Sequence, residues 1–144
     1  MMKGLKVNKA KSLEEITRIF SEFKEDLNSV GIHSVEDLKN SYKYIWTASL
    51  NEKLAGYTIG RDMNKKKTVL ESSWTYVKPG YRDKDVGTKI AQQKISYAKR
   101  SGFDQIYFCT MDKDCIKMFE KQMEKYDTRV DPFQDGYRIW VKLN

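Results

Sequence analysis

The stretch that most constrains this chain is ESSWTYVKPGYRDKDVGTKIAQQKISYAKR, residues 71–100. Its beginning is rich in β-branched and aromatic residues and reads as a strand. From Val86 to Ser101 the apolar residues fall at helical spacing. Between the two, Lys78–Lys89 turns directly from strand into helix. A helix N-terminus leaves about four backbone N–H groups without intrahelical partners and carries roughly half a positive charge. Such a turn is a natural anion site. Val86, Gly87 and Thr88 would supply amides, and Gly87 has no side chain to hold a phosphate off. Arg82 and Lys84 add charge at the rim, and Lys89 sits in the first helical turn. Asp83 and Asp85 stand in the same turn. The plainer reading is a basic loop in which Asp85 is an ordinary N-cap.

The flanking sequence alternates between strand and helix periods. Gly4–Ala10 reads as a first strand. Ser12 and Glu15 form a capping box, and Leu13, Ile16, Phe20, Phe23 and Leu27 extend one helix from Ser12 to about Asn28. Ser34–Asn40 is a shorter helix. Tyr44–Leu50 and Lys53–Arg61 flank Asn51-Glu52 as a hairpin, and Thr68–Val77 is a third long strand. Gln105–Thr110 reads as a buried strand, Asp112 to about Glu124 as a helix. Arg129–Phe133 and Gly136–Leu143 close the chain as two strands around a Gln134-Asp135-Gly136 turn. No repeat or linker interrupts this order, so residues 1–144 read as a single α/β domain.

Composition excludes several classes. With one histidine, His33, and two cysteines, Cys109 and Cys115, a His/Cys metal centre or a histidine-based triad has too few members. Both cysteines read as buried small residues. No window approaches the 18 apolar residues of a membrane span, and the N-terminus lacks a secretory apolar region, so the expected compartment is the cytoplasm. The net charge of +7 favours anionic partners. The lysines are scattered, which also fits a plain solvated surface, and no nucleic-acid reading motif accompanies them.

Residues Val77–Thr88, VKPGYRDKDVGT, resemble the cofactor segment of the GCN5-related N-acetyltransferase (GNAT) family. The family motif [Q/R]-x-x-G-x-[G/A] appears as Arg82-Asp83-Lys84-Asp85-Val86-Gly87. Arg82 and Gly87 match, and Asp85 replaces the central glycine. A second patch is similar: Asp112, Cys115 and Phe119, followed by Glu120-Lys121, occupy the family's N-x-x-A-x-x-x-Y spacing and its E-K pair. The resemblance covers nearly the whole chain. It implies a mixed, mostly antiparallel sheet of about seven strands with helices on both faces. It implies transfer of an acetyl group from acetyl-CoA, without a metal, to a primary amine of a small molecule or a protein. The pyrophosphate would lie on Arg82, Asp83, Lys84, Asp85, Val86, Gly87 and Thr88. The pantetheine arm would run beside Thr75, Tyr76 and Val77, and Asp112 would join the cofactor-binding set. A homodimer or a protein partner is compatible with this scheme.

Glu71, eight residues before Pro79, stands where family members place an acidic residue facing the acceptor, and could take the amine's proton. Its plainer reading is a solvent-facing carboxylate or one paired with a lysine. Phe119 cannot protonate a departing thiolate as the family tyrosine does; Tyr107 and Tyr126 are substitutes, each first a packed or surface aromatic. Trp46, Trp74 and Trp140 lie on strands and read as core residues. The two aspartates and Phe119 also suit a different class, a protein of this fold that binds without catalysing.

Overall fold

The computed structural model describes residues 4–82, 85–110, 126–134 and 136–143. The strands β1 (Leu5–Lys9), β2 (Tyr44–Leu50), β3 (Lys53–Asp62), β4 (Val69–Val77), β5 (Gln105–Thr110), β6 (Asp127–Phe133) and β7 (Gly136–Lys142) form one sheet in the order β1-β2-β3-β4-β5-β7-β6. The β4–β5 pair is parallel, and β1–β2, β2–β3, β5–β7 and β6–β7 are antiparallel. The helices are α1 (Leu13–Glu22), α2 (Lys24–Ser29), α3 (Val35–Ser41) and α4 (Val86–Arg100). The mixed, mainly antiparallel α/β architecture is as expected. The helix anticipated over Asp112–Glu124, with Cys115 and Phe119, lies outside the described residues, as do Asp83, Lys84 and Asp112.

Contacts divide the chain into two compact units, residues 1–61 with 74–90 and residues 62–73 with 91–144. In the first, capping proceeds as the sequence indicated. Ser12 Oγ accepts from the Glu15 amide at 3.2 Å, and Ser34 Oγ from the Asp37 amide at 3.0 Å. The Asn51-Glu52 hairpin turns through φ values of 51° and 70°, both left-handed, as a tight hairpin requires. The single long helix expected after Ser12 is instead two. It breaks at Phe23 (φ −116°, ψ 26°), whose amide still bonds Ile19 O at 3.0 Å. The break lets Phe23 pack its ring 4.8 Å from that of Tyr57, with Ile19, Leu27 and Leu38 in the same buried cluster.

The β2–β3 register slips between Ala48 and Ser49, leaving Ala55 as an extra residue. This bulge changes which side chains share a face. Leu54, Tyr57 and Ile59 pack with α1 and α2, while Ala55 packs with Ala48, Val86 and Ile90. Leu54 to Gly60 is therefore buried throughout.

In the second unit, Leu70, Ile106 and Val141 lie side by side across β4, β5 and β7 and are fully buried. The unexpected member is Lys94 of α4, 1% exposed, whose Nζ bonds Ser72 Oγ of β4. Burial pulls its ammonium down from 10.5 to about 7. Between those values the unfolded chain holds the extra proton, so stability rises with pH across that window. Lys94→Met removes the cost of burying the charge. The variant is expected to melt above wild type at pH 7, and its advantage to shrink as the pH is raised from 7 toward 10.5 and to level off beyond; melting curves across that range check the sign.

Candidate functional site

The β4-to-α4 turn belongs wholly to the first unit. β4 ends against the β3 bulge: the Lys78 amide donates to Ala55 O at 2.8 Å, and a Cβ at Gly56 would meet the Tyr76 carbonyl oxygen at 2.5 Å. Thr58 Oγ1 donates to Trp74 O at 3.1 Å and lies 2.7 Å from Thr75 Oγ1. A single 3₁₀ turn, Pro79–Tyr81, follows. Arg82 then reaches back. Its Nε donates to Val77 O at 2.8 Å, and its guanidinium carbon lies 5.5 Å from the Tyr76 ring centre. Part of the rim charge expected for a ligand therefore holds the turn together.

Asp85 takes a left-handed conformation, φ 60°, immediately before α4. The backbone here demands what glycine gives freely, and aspartate tolerates it better than most residues. The Lys89 amide bonds Asp85 O at 3.0 Å, so the Val86 and Gly87 amides precede the helical ladder. Among the described residues, a Cβ added at Gly87 would meet nothing within 4 Å. These residues fit an extended oxyanion: unladdered amides at a helix start, open space above the glycine, and a basic side chain at the rim.

Glu71 belongs to the second unit. It pairs with Tyr107 of β5, and Ser73 Oγ donates to its Oε2 at 2.9 Å. Tyr107 pairs with Trp140 of β7, their rings 4.5 Å apart, and its Oη lies 2.9 Å from Cys109 Sγ. Burial, with help from Cys109, pushes the Tyr107 phenol up to about 12, so it stays protonated at neutral pH. Cys109 is exposed rather than buried, a correction that follows from its place near the end of β5.

A third cluster, in the first unit, was not anticipated. Asp26 Oδ2 of α2 accepts from both Tyr57 Oη and, at 2.8 Å, Trp74 Nε1. Trp74 is thus 39% exposed and not a core residue, while Trp46 is buried as expected. His33 sits at the surface, its amide donating to Asp37 Oδ2 at 3.1 Å. Lys94 could have been found from sequence, since Ile90, Lys94 and Ala98 recur at four-residue steps on the buried stripe. Among the described residues, no three His, Cys, Asp or Glu side chains come together to hold a metal, and no helix is long and apolar enough to cross a membrane.

Residues 12–124 match the family model described as Acetyltransferase (GNAT) family. No curated protein matches the chain in sequence. Several solved structures share the fold. A GCN5-related N-acetyltransferase from Kribbella flavida superposes with a TM-score of 0.73 at 16% identity, over 98% of this chain and 99% of that one. A Bacillus subtilis acetyltransferase in complex with CoA gives 0.66 at 16% identity, over 97% and 99%. The diaminobutyrate acetyltransferase EctA of Paenibacillus lautus, in complex with L-2,4-diaminobutyric acid and coenzyme A, gives 0.68 at 14% identity, over 96% of each chain.

The contact of Gly56 with β4 sets a test of the turn's support. Gly56→Ala forces a methyl into the Tyr76 carbonyl, and overpacking of this kind costs about 1–3 kcal/mol. The expected outcome is a lower midpoint in denaturant with an unchanged slope, read by urea titration.

Proposed function

We infer that this chain, which belongs to the acetyltransferase (GNAT) family, transfers the acetyl group of acetyl-CoA to a primary amine. The observation that carries the reading is the start of α4: a left-handed Asp85, unladdered amides at Val86 and Gly87, and empty space over Gly87. Arg82, Asp83, Lys84, Asp85, Val86, Gly87 and Thr88 would hold the pyrophosphate, with Thr75, Tyr76, Val77 and Asp112 along the rest of the cofactor. Solved proteins of the same fold are in complex with CoA, and one with both coenzyme A and its substrate L-2,4-diaminobutyric acid. The reading takes residues 1–144 as one domain. When bound, the cofactor supplies an activated thioester.

The protein's own share is orientation and proton handling. Glu71 accepts the proton that the amine sheds as its nitrogen attacks the thioester carbonyl carbon and the carbon–sulfur bond breaks. Ser73 fixes the Glu71 rotamer through its 2.9 Å bond. Tyr107, protonated and on the same sheet face as Glu71, is a phenol that could return a proton to the departing thiolate. The acceptor is a small-molecule or protein amine.

A second reading, a binding module without catalysis, is favoured by the bond between Arg82 and Val77 O and by the carboxylate of Asp85 at the cradle. Calorimetric titration with acetyl-CoA separates the two. Folded wild-type protein that takes up no cofactor at millimolar concentration sinks the enzyme reading.

Gly87→Ala puts a methyl where the protein has nothing to touch. It is expected to keep or slightly raise the melting temperature, since alanine is the better helix former by about 1 kcal/mol. Alanine is allowed at this position of the family motif, so acetyl-CoA affinity is expected to survive the change; a leucine there is expected to weaken it at least about tenfold, some 1.4 kcal/mol. Glu71→Gln is expected to lower kcat by about 10²–10⁴ while leaving cofactor affinity unchanged. Thiol release and calorimetry together read these variants.

A further inference from the structure

One face of the β4-β5-β7-β6 sheet carries polar side chains that packing alone does not account for. Register places Glu71, Tyr107 and Trp140 in line, with Arg138 opposite Cys109 two residues along β7. Two donors on this face are buried without a hydrogen-bond partner among the described residues, Trp140 Nε1 and Arg138 Nε. Buried donors are almost always paired, so two on neighbouring same-face positions mark a missing acceptor. The obvious internal candidate is already engaged: Asp131 is held by Arg129 at 3.1 Å and stands 3.8 Å from Arg138 Nε, beyond a good hydrogen bond. The Arg138 side chain is 39% exposed, so a ligand can reach its guanidinium.

We propose that Arg138, assisted by the Trp140 indole N–H, binds an anionic oxygen group of the acceptor, which makes that acceptor an amine bearing its own carboxylate or phosphate. A guanidinium fork suits either anion. The spacing adds a length. β4 and β7 lie on either side of β5, and Arg138 is two residues along from the position in line with Glu71, so the two backbones are about 12 Å apart. An acceptor whose amine lies toward Glu71 and whose anion lies on Arg138 therefore separates the two groups by several bonds, as an ω-amino acid does. Tyr107 stands between the two charges and feels both: Arg138 draws its phenol down, Glu71 pushes it up. The amine half of the proposal rests on the acetyl-transfer reading; the anion half rests on two buried donors without a hydrogen bond, although the Arg138 guanidinium keeps a longer ion pair to Asp131 and lies 5.3 Å from the Phe133 ring centre.

The test compares amines that differ in the anion. L-lysine and phosphoethanolamine carry one; cadaverine and lysinamide do not. Thiol release from acetyl-CoA is expected to favour L-lysine or phosphoethanolamine over cadaverine by about 100-fold in kcat/KM, and which of the two is preferred names the anion. Arg138→Gln is expected to erase that preference by lowering turnover of the anionic amines far more than that of cadaverine, and Arg138→Lys to keep part of it. Equal use of cadaverine and L-lysine by the wild type, or equal losses for both in Arg138→Gln, overturns the proposal. The same panel is titrated without cofactor against the Trp140 indole N–H resonance, assigned with Trp140→Phe. A shift with an anionic amine that is absent with cadaverine and lost in Arg138→Gln supports the anion site even if no amine is acetylated, which would sink acetyl transfer alone. No shift with either anionic amine overturns it.

Discussion

The first unit depends on the close approach of β3 to the end of β4. The extra residue at Ala55 turns a carbonyl outward, and the Lys78 amide takes it at 2.8 Å. Gly56 lets the Tyr76 carbonyl come within 2.5 Å of where a Cβ would stand. The chain leaves β4 at a fixed point, and the geometry downstream inherits it: the 3₁₀ turn, the return of Arg82 to Val77 O, the left-handed step at Asp85. A loop built this way is held by its backbone at one end and by a helix at the other. Its amides can be aimed without any one side chain in the turn being indispensable to its shape.

The helical layer is tied down by a different kind of contact. Tyr57 is wholly buried, and its hydroxyl needs a partner. Asp26 provides it and binds the Trp74 indole as well, so one carboxylate joins α2 to β3 and β4. Burial, reinforced by that carboxylate, drives the Tyr57 phenol far above its usual range and keeps it a donor. The break at Phe23 belongs to the same arrangement: Phe23 packs on Tyr57, and α1 and α2 both contribute apolar residues to the buried cluster that holds it.

Much of this was legible in the sequence because it is local. Asn51-Glu52 had to be a hairpin turn, and Ser34 had to cap a helix. The family likeness followed from the spacing of Arg82, Gly87 and the strand before them. What stayed hidden depends on partners far along the chain. Alternation on β3 misses a one-residue bulge, because the slip is set by β2. Trp74 reads as core until the Asp26 carboxylate draws its indole outward. Glu71, Tyr107, Arg138 and Trp140 each alternate correctly on their strands, yet nothing in any one strand says that they share a face. That needs the register of β4 on β5 and of β5 on β7.

The open space above Gly87 has a consequence for the protein in a cell. Proteases and chaperones sort chains by how often they unfold. A side chain added at a position whose Cβ meets no described neighbour within 4 Å need not change that frequency for the worse. On the proposed reading, chains that carry a bulky side chain at Gly87 escape triage and accumulate at full abundance, folded but poor in cofactor. Any partner or acceptor that recognises the rest of the surface meets them in competition with intact molecules, so damage at this one position acts on the whole population rather than removing a fraction of it.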